Sequence, residues 1–357
     1  MIPFAGASAE SASARYREID WLKGFAILCV LSIHANLLVH VALGTYVVNR
    51  AVPIFLILFG ITSELWWRRE VERKGRVALR SWYESRFRRL MPPVWGTVAV
   101  WLGLVVLLSH PLVLTPTVIA ALALGYLRWI GTGWFVTLIL QIIVAYPIIR
   151  LAMNRLGAAV MILISVGLVI AARLYPIPII TLMVSIFRHT GPGDGLWYLT
   201  IFAPPRLLYV CAGMLIARRI LLLPRHWVAL CIGLTVLGDS VHANMNSASA
   251  SEVILAMTDV PLAVALLACV KVVRVWPPAA ALLTWCGERS WGLYLGQSLV
   301  HDWVHFLGME PGQMALVYRG AYFACLFVGA VGFVTIGEAV RKVPSWRPTF
   351  SARNDGI

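Results

Sequence analysis

Charge is what this chain has least of, and acid above all. Only 13% of its 357 residues are Asp, Glu, Lys or Arg, and 16 acidic residues stand against 30 basic ones. Water-soluble domains carry about a quarter of their residues charged, so an ordinary soluble fold is excluded. Paired cysteines are missing too. The six present (Cys29, Cys211, Cys231, Cys269, Cys286, Cys325) have no short paired spacing, which argues against a zinc ribbon or a disulfide framework and leaves them as packing residues. Nor is there an internal repeat, a separate polar domain, or the alternating ten-residue pattern of a membrane barrel.

What fills the chain instead is apolar. Hydrophobic residues make up 60% of it, with a mean hydropathy of +0.81, in long runs that include Gly and Pro. A lipid environment leaves such runs only the helix, so the expected fold is all-α, a polytopic transmembrane helical bundle. Hydropathy windows of about 19 residues place ten spans at roughly 19–40, 47–67, 92–109, 134–150, 157–174, 199–217, 226–241, 253–271, 290–307 and 316–338. A net charge of +14 would also suit a nucleic-acid binder. The Lys and Arg residues, however, gather in alternate segments between spans, nine of them from Arg68 to Arg89. That is the positive-inside pattern; it puts both termini in the cytoplasm and makes a nucleic-acid partner unexpected.

The first 18 residues are polar and small, without a basic leader or cleavage site, so the first span is expected to be retained. The expected division is a cytoplasmic tail at 1–18, a membrane domain at 19–340 and a cytoplasmic tail at 341–357. Thr117 to Ile130 is apolar but short, bracketed by Pro116 and Gly131. Counting it as a full span would move Arg150 and Arg155 outside, so it reads as one re-entrant or interfacial helix. The longest outer loop, about 174–198, contains His-Thr-Gly-Pro-Gly-Asp-Gly at 189–195, a turn-rich stretch that reads as a connector or a lid.

His34 is the first candidate for chemistry, because an ionisable ring well inside an apolar span is unfavourable unless used. Lys23 lies eleven residues earlier, nearly three turns, so the two share a helix face about 16 Å apart. Either they line one groove for an extended anionic ligand, or Lys23 snorkels and His34 makes a structural hydrogen bond. Arg86 and Arg89 share a face just before the third span. Their planar guanidinium groups suit phosphate capture; the basic loop around them suits contact with anionic lipid headgroups. The ninth span carries Tyr294, Gln297, His301 and His305 on one polar stripe. His301 and His305 also have the two-histidine helical spacing of a zinc site, but no third ligand stands near and Asp302 is short for a base, so no metal is expected. Asp239, His242, Glu252 and Asp259 flank an outer loop, as substrate contacts or as solvated loop ends.

Several stretches together resemble the integral-membrane acyltransferase family three, the O-acetyltransferases of bacterial surface glycans. Arg17-Glu-Ile-Asp20-Trp-Leu-Lys23-Gly24 followed by His34 is similar to that family's opening, a basic residue, ten others and an essential histidine. Val52-Pro-Ile-Phe55-Leu-Ile-Leu-Phe-Gly60 resembles its second-span signature, and Arg86-Phe-Arg-Arg89-Leu-Met-Pro92 its cytoplasmic Arg-x-x-Arg motif. Gly133-Trp134-Phe135, Arg206 with Gly213, and Ser290 to Gln297 are weaker echoes. Two positions depart: Lys23 stands where Arg is usual, and Gln297 where His is common, with His301 one turn further on as a substitute.

The resemblance implies a multi-pass enzyme of the bacterial inner membrane. It would move an acyl group, most often acetyl, from cytoplasmic acyl-CoA to a hydroxyl of a glycan or lipid-linked sugar. No cofactor would be bound permanently; acyl-CoA is a co-substrate. His34 would be catalytic, as general base or as acyl carrier, and the residues leave both open. Lys23, Arg86 and Arg89 would hold the donor phosphates. Asp20, Trp134, Arg206, Tyr294, Gln297 and His301 would contact or support the substrates. Two other classes compete: a proton-coupled transporter or flippase, for which no inverted repeat is visible, and an intramembrane metalloprotease.

Overall fold

Asn36 stops the first helix. In the computed structural model α1 runs Arg17–His34, and Asn36 has a left-handed φ of 51°, which a short polar side chain tolerates better than a branched one. Asn36 N–H donates to Ile33 O and Leu37 N–H to Ser32 O, each at 3.0 Å, the paired bonds of a Schellman ending. His34 is therefore the last helical residue rather than an interior one, a correction to the expected span of 19–40. The structure describes residues 17–37, 48–107, 115–127, 130, 133–178, 180–181, 201–219, 225–243, 248–272, 275–309 and 315–342. The 189–195 segment lies outside them.

The remaining helices are α2 (Ala51–Lys74), α3 (Leu79–Leu107), α4 (Pro116–Ala123), α5 (Trp134–Leu156), α6 (Ala158–Leu174), α7 (Leu207–Arg219, after a 3-10 turn at Pro204–Arg206), α8 (Arg225–Ala243), α9 (Ala248–Val272), α10 (Pro277–Glu288), α11 (Ser290–Phe306) and α12 (Leu316–Lys342). No strand occurs among the described residues. Four of the described helices, α2, α3, α5 and most of α12, are long and apolar enough to cross a membrane. Shorter apolar helices occupy Ala158–Leu174, Pro204–Ala217, Ala229–Gly238 and Met257–Val270. Helix α10 was not expected, because twelve residues escape a window set for full spans.

The short apolar segment after Pro116 is helical only to Ala123. Thr115 caps it by accepting from Val118 N–H at 3.2 Å, with Pro at the first turn where its missing N–H costs nothing. The chain then turns at Gly125, whose φ is 81°. The Thr137 hydroxyl of α5 donates to Gly125 O at 3.2 Å and accepts from Leu127 N–H at 3.4 Å, so protein groups satisfy this irregular backbone.

Glycines set the closest crossings. A Cβ on Gly24 would meet Leu283 O, and one on Gly287 would meet Asp20 O, so α1 and α10 touch backbone to backbone. Helices α2 and α7 do the same through Gly60 against Val210 and Gly213 against Ile57. Without water to drive them together, membrane helices gain contact this way, through dispersion at short range. Around these crossings Ile27, Leu31, Leu56, Ile57, Val210 and Leu293 are fully buried.

Replacing Gly24 or Gly287 by Leu should separate α1 from α10 and lower the unfolding temperature in detergent. Gly103→Ala, where a Cβ meets nothing, should be neutral or stabilising by about 0.5–1 kcal/mol. Asn36→Val should cost about 1–2 kcal/mol, whereas Asn36→Gly should not; the same unfolding assay reads both.

Candidate active site

Helix α11 carries the polar stripe expected of it, and the stripe faces α1 and α12. Tyr294, Ser298 and Asp302 are buried and Gln297 is 0% exposed. His34, at the end of α1, is partly buried. Its Nδ1 lies 2.8 Å from Gln297 Oε1. The His301 ring stacks on the His34 ring, with centroids 5.1 Å apart and planes at 30°, and its Nδ1 is 2.7 Å from the Tyr322 hydroxyl of α12. His305 meets His301 edge-on at 4.5 Å. Arg319 Nη1 donates to Asn36 O at 3.3 Å, so α12 also holds the turn that ends α1. Gln297 thus takes the hydrogen bond to His34, while His301 supplies the neighbouring ring. Among the described residues no three His, Cys, Asp or Glu side chains converge as metal ligands.

The basic end is built differently. Lys23 Nζ is 3.6 Å from the buried Asp20 carboxylate, so its charge is partly met within its own helix. Arg86 lies over the Trp82 ring at 4.4 Å and over Trp66 at 5.3 Å. Its Nε and Nη2 are buried and, among the described residues, have no hydrogen-bond partner. Aromatic faces hold a guanidinium flat by cation–π attraction and leave its in-plane N–H groups for an acceptor. Arg89 is exposed, and the intervening Arg88 pairs with Glu84 at 2.6 Å.

Glu64 organises this end and was not anticipated. It is 1% exposed and accepts from Arg68 Nε at 3.1 Å, Arg150 Nε at 3.0 Å and the Tyr146 hydroxyl at 3.3 Å. Tyr146 in turn stacks on Trp82, centroids 4.6 Å apart. The available signal was a lone carboxylate inside an apolar run, a position that needs a partner.

Trp291 links the two ends. Its indole N–H donates to Leu90 O at 3.1 Å, one residue past Arg89. Trp291 and Gln297 are six residues apart on α11, or about 9 Å along its axis. Between them runs an aromatic wall. Trp291 stacks on Tyr294 at 6.0 Å, Tyr294 meets Phe135 at 5.5 Å, and Phe135 meets Phe55 at 6.0 Å and Trp134 at 5.9 Å. Four stretches singled out separately in the sequence therefore meet on one surface.

Other candidates fall elsewhere. Asp259 is no loop end: α9 starts more than two turns before it, and the buried carboxylate binds Arg50 Nη1 at 2.5 Å and the Tyr209 hydroxyl at 2.6 Å. Arg206 ends the 3-10 turn three residues before Tyr209, which places it beside the Tyr209–Asp259 group, and its buried Nε has no hydrogen-bond partner among the described residues. The side chains of Asp239, His242 and Glu252 lie outside the described residues. A cleft of about 470 Å³, lined by Arg17, Trp21, Thr284, Trp285 and Glu288, opens between α1 and α10, and Trp21 lies about 200° around α1 from Lys23.

No curated protein and no solved structure matches the chain. A family model described as an acyltransferase domain does match, over residues 16–336, which takes in every helix from α1 to most of α12 and both ends of the aromatic wall. By that match the chain belongs to acyltransferase family 3.

Proposed function

We propose that this membrane acyltransferase moves an acyl group, acetyl before others, from cytoplasmic acyl-CoA to a hydroxyl of a glycan or lipid-linked sugar. The membrane is the bacterial inner membrane. The observation that carries the reading is Arg86, a guanidinium pinned on two tryptophans with two buried nitrogens that lack a protein acceptor. Buried donors of this kind are costly unless an acceptor arrives. The phosphates of a nucleotide thioester supply one, with Arg89 and Lys23 adding charge at the rim. The acyl arm then runs along the aromatic wall to His34, a residue that keeps part of its surface exposed.

The step itself balances without an added cofactor. The acceptor oxygen forms the ester C–O bond as the thioester C–S bond breaks. The hydroxyl proton passes to the His34 imidazole and from there to the leaving thiolate. A positioned base of this sort contributes about 10²- to 10⁴-fold. Lys23 is best read as a rim charge shared with Asp20, while Trp134 and Tyr294 form the arm's wall and His301 packs the base. Arg206 would meet the acceptor only if the acceptor reached the Arg50–Asp259 group.

His34→Ala should abolish transfer while the protein still inserts and unfolds cooperatively; turnover at the wild-type rate in this variant would remove the assigned role. Arg86→Ala should raise the KM for acyl-CoA by about 10- to 100-fold, the worth of a charge-assisted hydrogen bond, with Arg86→Lys intermediate. Arg89→Ala should cost less, since Arg89 is exposed. Donor affinity unchanged in both alanine variants would exclude the phosphate role. Membranes given radiolabelled acetyl-CoA should put alkali-labile label into a glycan fraction, which tests donor and acceptor class together.

A further inference from the structure

We infer that Gln297 is a positioning residue that selects the tautomer of His34, holding the proton on Nδ1 and leaving Nε2 as the basic atom. The inference rests on the proposed role of His34 and assigns its reacting nitrogen. It follows from the direction of three hydrogen bonds. The Ser298 hydroxyl donates to Tyr294 O at 2.9 Å, and with its proton committed there, its oxygen accepts from Gln297 Nε2 at 3.3 Å. That turns the amide so that Oε1, an acceptor only, faces His34 Nδ1 at 2.8 Å. An acceptor opposite Nδ1 requires the proton on Nδ1, so the lone pair of the neutral ring is on Nε2.

Surrounding groups restrict the ring further. His301 covers one face, and among the described residues no second hydrogen bond to His34 is present, so Nε2 is left for the acceptor hydroxyl. From α12, Tyr322 is engaged by His301; from α11, His305 contacts His301. Neither competes for the His34 nitrogens. An amide oxygen differs from the carboxylate of a Ser-His-Asp arrangement in adding no full negative charge beside the imidazolium. The proton that His34 collects is therefore held loosely and handed on to the departing thiolate.

The test uses full-length protein in detergent or nanodiscs with ¹⁵N-labelled histidine, His34 being assigned by its loss in His34→Ala. Wild-type His34 should show a protonated Nδ1 and an unprotonated Nε2. Gln297→Leu should mix or reverse the two signals and lower kcat by about 10- to 100-fold, part of what a positioned base contributes, with KM for acyl-CoA unchanged. Gln297→Glu, which keeps an acceptor oxygen but adds a charge, should restore the wild-type tautomer while holding the proton on the ring more tightly, leaving kcat between those of Gln297→Leu and the wild type. A wild-type ring protonated on Nε2, or a Gln297→Leu variant with unchanged tautomer or unchanged kcat, overturns the assignment. Were the wild-type protein to transfer no acyl group, the functional reading would fall, and the ¹⁵N spectra would still decide the tautomer.

Discussion

The hydrogen bond between His34 and Gln297 joins residues 263 positions apart, and much of the bundle serves to hold its two ends together. Helix α1 must approach α10 closely enough for Gly24 and Gly287 to meet opposing backbone. Helix α11 follows α10 after Arg289 alone, so that contact also sets where α11 begins. At the other end the left-handed turn at Asn36, fastened by Arg319, fixes how far α1 extends. A bond of 2.8 Å between side chains leaves little room for error in either helix.

The same frame sorts the positive charge. Basic residues far outnumber acids, and three of the acids buried among the helices are held by basic partners. Glu64 takes Arg68 and Arg150, Asp259 takes Arg50, and Asp20 takes Lys23. A buried carboxylate left alone would be strongly destabilising, and pairing removes that penalty more than it adds stability. Arg86 is the exception in kind: tryptophans rather than carboxylates hold it. Its charge is stabilised without being neutralised, and its donors stay available. An anion reaching it meets a group already oriented, so little conformational entropy is lost on binding.

The aromatic wall lies between the Arg86 end of the bundle and the imidazole. Phe55, Phe135, Tyr294 and Trp291 come from α2, α5 and α11, and rigid rings define a path better than flexible aliphatic side chains would. With Trp291 hydrogen-bonded to Leu90, a shift of α3 would be felt along α11 and hence at Gln297.

Helical class, the basic segment from Arg68 to Arg89, and the polar stripe of α11 were all legible in the residues, because hydropathy and a 3.6-residue period act locally and leave their mark in order along the chain. So was the singularity of His34, since an imidazole in an apolar run stands out without any knowledge of its neighbours. The end of α1 was not: an apolar window runs past Asn36, whose left-handed turn depends on backbone geometry that hydropathy does not register. Helix α10 escaped for being too short, and Asp259 looked like a loop end because nothing near it in sequence announces Arg50 or Tyr209. Which polar group meets which was decided only by tertiary structure. A hydrogen bond is short and directional, so the partner of His34 among Gln297, His301 and His305 depends on how far α11 slides and rotates against α1, a quantity set by distant glycines and written in no single stretch of sequence.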